Sequence, residues 1–127
     1  MATRLPAAAE HEAAHAVTAT ALGVAVYWTT ARQNGTGRTS CEAASPRLSA
    51  IIAAAGDLWD RDFSVHPYID GSCSDLRTAV DNVGTAGIWQ ARRIARDILT
   101  RHKSDVLALA RRIEAVDGQR LVLSTAR

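Results

Sequence analysis

His11 and His15 stand four residues apart inside a segment whose composition points strongly to one conformation. From Thr3 to Leu22 there is no glycine, and alanine dominates. Pro6 falls early enough that its missing N–H costs little, Thr3 offers an N-cap, and Gly23 is a natural C-terminal stop. The segment is expected to be helical. Residues four apart on a helix share a face, with Cβ atoms about 5–6 Å from each other. The first element of the chain therefore sets two imidazoles side by side, with the Glu12 carboxylate next to them.

The following stretch changes character. Val24 to Ala31 is β-branched and aromatic (Val26, Tyr27, Trp28, Thr29, Thr30) and predicts a strand. Asn34-Gly35 is a turn signal, and Arg38 to Glu42 is expected to return as the second strand of a hairpin. Pro46, capped by Ser45, opens a second helix with Leu48, Ile51, Ile52, Ala55 and Trp59 at helical spacing. Periodicity is lost from Asp60 to Ser74, where Pro67, Asp70 and Gly71 predict a loop. A short helix then ends near Gly84, and a longer one spans Thr85 to Arg101. Ser104 to Val116 forms another, and Leu121 to Leu123 reads as an apolar tail docked on the body. The expected fold is mainly α (α+β): a helical bundle with a small β-hairpin after the first helix.

A chain of 127 residues without repeats or a Pro/Ser linker fits a single compact domain spanning 1–127. Aromatics make up only 5% of it, which favours closely packed helices with small side chains over a barrel of bulky strands. No run approaches the roughly 18–20 apolar residues of a membrane span, and the N-terminus lacks the apolar core of a secretory signal. Two cysteines, Cys41 and Cys73, are too few for a disulfide framework, so a reducing cytoplasm is the expected location. A formal charge of +2 is too mild to argue for a nucleic-acid partner.

Chemistry enters with His11-Glu12-Ala13-Ala14-His15, an H-E-x-x-H pattern. Random placement of this chain's histidines and glutamates would produce it about 0.004 times. On a helix the two imidazoles can converge on one Zn²⁺. Glu12 is placed to take a proton from water while a carbonyl is attacked. Zinc needs a third protein ligand. His66, His102, Asp57, Asp60, Asp62, Asp70 and Asp75 are the candidates, and spacing does not choose among them.

The segment His11 to Val17, HEAAHAV, resembles the HEAGHAV segment of the FtsH-type zinc metallopeptidases. The order of later features is similar: a hairpin over Val24 to Glu42, then Ala55-Gly56-Asp57-Leu58-Trp59-Asp60, then Gly71-Ser72-Cys73-Ser74-Asp75-Leu76-Arg77-Thr78-Ala79. The resemblance extends from about Glu10 to Leu123. It implies His11 and His15 as zinc ligands, Glu12 as general base and Asp75, in the D-L pair, as third ligand. Asp60 stands where the family has Glu and would orient a ligating imidazole. Ala14 replaces a family glycine, and the loops between His15 and Asp75 look shorter than usual. No G-x-x-x-x-G-K-[ST] phosphate loop is present, so the expectation is a standalone domain without the family's ATPase half or membrane anchor.

The expected activity is zinc-dependent hydrolysis of a peptide or protein substrate, held extended by the strand after the zinc helix, with Trp28 lining the groove. The alternative is a catalytically silent binding or regulatory module of the same fold. The arginines at 92, 93, 96, 101, 111 and 112 form a basic stretch. It reads better as a solvated surface with intrahelical pairs to Asp97, Asp105 and Glu114 than as a nucleic-acid face. The three tryptophans, Trp28, Trp59 and Trp89, are expected mainly as core anchors, and His66 is the reserve third ligand. Neither the substrate's identity nor the oligomeric state, homo-oligomer included, is fixed by these features.

Overall fold

The computed structural model describes residues 4–66 and 73–124; at positions 73–76, 78–80 and 82 it describes the backbone alone. The described residues are mainly helical α+β, with four α-helices and a three-stranded antiparallel sheet. Helix α1 spans Leu5–Ala21 and ends before Gly23, whose φ of +79° reverses the chain. Its N-cap is Arg4, with no side-chain cap; Thr3, the expected cap, lies outside the described residues. Burial runs around most of α1, from Leu5 and Ala8 through His15 to Ala19. Alanine makes that possible, because its small side chain lets strands and helices close on several sides of one helix.

Strands β1 (Val26–Ala31) and β2 (Gly37–Cys41) form the expected hairpin, running from Val26 opposite Cys41 to Ala31 opposite Gly37 with an irregularity between Val26 and Trp28. In the turn, Gly35 takes φ +91° and the Asn34 side chain accepts the Thr36 N–H. The tail over Leu121–Val122 does more than dock. It pairs antiparallel with Trp28 and Thr29 as β3, giving the sheet order β2-β1-β3. Strand β1 is therefore central, and β2 is an edge.

Helix α2 (Pro46–Leu58) starts as expected, with the Leu48 N–H donating to Ser45 Oγ. It does not lose its helical form at Asp60; Pro67, Asp70 and Gly71, on which the expected loop rests, lie outside the described residues. A π-helical turn over Trp59–Phe63 continues it, closed by the Ser64 N–H donating to the Trp59 carbonyl. Helix α3 (Cys73–Arg101) is broken at Gly84, where φ is +75°, so the short and long helices expected on either side of that glycine follow one another directly. Helix α4 (Lys103–Ala115) leads through Asp117 and Gly118, both at positive φ, into β3.

The core joins all four helices around Ala9, Ala13, Ile51, Leu58, Trp59, Leu99, Val106 and Ile113. Trp59 is fully buried. Trp89 is not the core anchor expected: it is 72% exposed. It follows Ile88 by one position, about 100° round the helix, and so falls outside the buried stripe of Ile88, Ala91, Ala95 and Ile98. Of the surface arginines, Arg101 pairs with Asp97 along α3, whereas Arg96 reaches across to Asp62 in the π-helical turn. Among the described residues, no helix is long and apolar enough to cross a membrane.

Candidate metal centre

His11 and His15 project from one face of α1 toward α2, and their Nε2 atoms lie 3.1 Å apart. What makes this pair unusual is the state of the other ring nitrogens. His15 Nδ1 lies 2.7 Å from the carbonyl oxygen of Ile52, which can only accept, so that nitrogen carries a hydrogen. His11 Nδ1 lies 2.7 Å from Asp60 Oδ2, again an acceptor. With both Nδ1 atoms donating, two neutral rings would aim two Nε2 lone pairs at each other. Such a contact is repulsive unless a cation, a proton or a metal ion, lies between them. Two ligands of a tetrahedral zinc at about 2.0–2.1 Å would stand roughly 3.3 Å apart. The observed separation fits that requirement.

Gly56 supplies the space. A Cβ at this position would lie 2.5 Å from His15 Nε2 and 2.7 Å from His11 Nε2. The volume a methyl group would fill is thus the volume bordered by both donor atoms. A glycine inside a helix costs about 0.5–1 kcal/mol relative to alanine, and here it keeps that volume open. The donor set and the cradle both fit a divalent metal ion.

The π-helical turn sets the outer partners. Trp59 and Asp60 are adjacent, and they meet the adjacent residues Glu10 and His11: Trp59 Nε1 donates to Glu10 Oε1 at 2.8 Å, and Asp60 takes His11 Nδ1. The other Glu10 oxygen meets His66 Nε2 at 3.0 Å. Arg61 donates through Nε to the buried Asp57 carboxylate at 3.0 Å, bracing the same junction. A carboxylate or carbonyl on the far nitrogen of each imidazole is the arrangement that orients metal-ligating histidines and raises their basicity.

Glu12 is 6% exposed and faces β2. Its Oε1 accepts from Thr39 Oγ1 at 2.7 Å. Gly37 makes the approach possible, since a Cβ there would lie 2.7 Å from Glu12 Cγ and 2.7 Å from the Thr30 carbonyl oxygen. A cleft of about 270 Å³ opens beside Glu12 and His15, walled by β2 on one side and by Ser49, Ile52 and Ala53 of α2 on the other. Cys41 also lines it; burial, and secondarily the Glu42 carboxylate, push its thiol pKa up.

The structure thus brings His11, His15 and Asp60 together, with Glu12 on the cleft side. Asp75 belongs to α3 by its backbone, and its side chain lies outside the described residues. No third side chain of ligand type joins the pair among the described residues. His66, the reserve ligand, is instead engaged with Glu10. Trp28 does not line the cleft. It sits in the central strand with the Arg120 guanidinium 4.0 Å over its ring. The edge pairing expected of its strand is precluded at Trp28 and Thr29, where β3 occupies the side of β1 that β2 leaves open. The edge strand bordering the cleft is β2. Sequence reasoning passed over Thr39, Gly37, the Ile52 carbonyl and the structural importance of Gly56. Of these, only Gly56 carried a signal, a glycine inside an otherwise helical pattern.

In comparisons with known proteins, no family model, curated protein or solved structure matches the chain.

Proposed function

We propose that this chain is a zinc-dependent hydrolase of peptide bonds, similar in its site to the FtsH-type metallopeptidases it resembles and acting without an ATPase of its own. The observation that carries this reading is the pair of Nε2 atoms facing each other at 3.1 Å while both Nδ1 atoms are taken up as donors. His11 and His15 would hold the ion, with Asp75 as the third ligand that the resemblance implies. Bound there, zinc would polarise a carbonyl and lower the pKa of water.

The protein's own groups divide the remaining work. Glu12 accepts a proton from water and passes it to the departing amine. Its burial beside the cleft and its hydrogen bond from Thr39 hold the carboxylate within reach of whatever enters. Asp60 and the Ile52 carbonyl keep both imidazoles turned with Nε2 inward. Strand β2, an edge of the sheet among the described residues, offers its outer backbone groups to an extended peptide lying in the cleft.

The test is a digest of casein and of a peptide library by the purified chain, with chelator and with zinc restored. Hydrolysis lost to chelator, regained with zinc and abolished in Glu12→Gln at near-normal zinc content is the expected result. Full turnover by that variant removes Glu12 from the role of base. A zinc-replete, inert wild type supports the binding or regulatory module instead.

A further inference from the structure

We infer that Thr39 is a positioning residue for Glu12: its hydroxyl, presented by the edge strand, holds the carboxylate in the orientation proton transfer requires. The inference rests on the peptidase reading for its kinetic consequence, but the geometry beneath it is independent of that reading. Thr39 Oγ1 lies 2.7 Å from Glu12 Oε1 and 3.2 Å from the Glu12 backbone carbonyl, so one hydroxyl touches the residue at two places. Among the described residues the Glu12 carboxylate has no other hydrogen-bond donor, although the residue is only 6% exposed. A carboxylate so far removed from water and given a single donor depends heavily on that donor.

The opposite side of the carboxylate is shaped as closely. A Cβ on Gly37 would lie 3.0 Å from Oε2, so the bare backbone of β2 forms a wall there. Thr39 and Gly37, two residues apart on one strand, project to the same side of the sheet and bracket the two oxygens. Oε1 is tied, whereas among the described residues Oε2 has no hydrogen-bond partner, and Glu12 lines the cleft together with His15. A base used for proton transfer needs one oxygen accessible and the whole group restrained. Without the hydroxyl, the carboxylate regains hydrogen bonds by swinging into the cleft toward water.

The test compares wild type, Thr39→Val and Thr39→Ser, all loaded with zinc to equal content. Misplacement of a reacting group by about 1 Å can cost on the order of 100-fold in rate. Thr39→Val is expected to lose about 10- to 100-fold in kcat with KM changed less than about twofold, and Thr39→Ser to recover most of the loss. A crystal structure of Thr39→Val is expected to show the Glu12 carboxylate displaced by about 1 Å or more. Thr39→Ala provides the same comparison if the valine variant does not fold. A carboxylate that stays in place overturns the inference, as does a loss confined to KM or a serine variant as impaired as valine. If wild type hydrolyses nothing while the carboxylate moves in Thr39→Val, the positioning role stands and the peptidase reading falls.

Discussion

A methyl group on Gly56 would lie 2.5 Å from Nε2 of His15, closer than a Cβ approaches an unbonded atom. One hydrogen atom near the C-terminal end of α2 therefore separates an open space beside the two imidazoles from a filled one. Gly56→Ala is expected to bind zinc at well below one equivalent while retaining its helical circular dichroism. Alanine favours the helix by up to about 1 kcal/mol, but pushing the buried His15 ring and the partly buried His11 ring aside costs about 1–3 kcal/mol, so the thermal midpoint should fall modestly. Full zinc content in this variant would show that the ion sits elsewhere.

The contact between Asp60 and His11 predicts a graded effect on affinity. Removing the partner of a ligating imidazole typically weakens metal binding about 10- to 100-fold. Asp60→Ala should show that loss in a competition titration with a zinc chromophore. Asp62→Ala, two residues away and paired with the surface Arg96, should bind as wild type does. Equal behaviour of the two variants would contradict the assigned geometry.

Metal binding should also appear as stability. A ligand at 100 times its Kd that binds only the folded state stabilises it by about 2.7 kcal/mol, enough to raise the melting temperature by several degrees. Adding zinc to chelator-treated protein should produce that rise, and His15→Ala should abolish it. A rise of the same size in the variant would place the stabilising ion away from the pair.

Cys41 offers a probe of the cleft that does not depend on the metal. Folding raises its pKa, through burial first and the Glu42 carboxylate second, so at any pH the folded chain holds less thiolate than the unfolded one. Alkylation by iodoacetamide at pH 7–8 should be slower at Cys41 than in the denatured chain, as read by peptide mass mapping, and should accelerate as pH climbs past the ordinary thiol range. The sign for stability follows. Above the unfolded pKa the unfolded state loses its proton first, so this group disfavours folding increasingly as pH rises toward the folded value. Equal rates in folded and denatured protein would mean that Cys41 is not shielded as described.

The sequence by itself determined the elements whose signals are local. The α1 helix with His11 and His15 on one face, the hairpin with its Asn34-Gly35 turn, the Ser45 cap and the break at Gly84 all depend on neighbours within a few positions. Backbone conformation responds to such neighbours directly, so these features were legible before any fold was known. Tertiary structure decided the rest. It made β1 central by laying Leu121–Val122 against Trp28 and Thr29, left Trp89 in solvent and turned the expected loop at Asp60 into a π-helical turn. It also delivered Thr39 to Glu12 and Gly56 to the two imidazoles. These last two contacts join residues 27 to 45 positions apart, and no local propensity encodes them. They arise because small side chains let α1, α2 and β2 pack closely enough for particular polar atoms to meet.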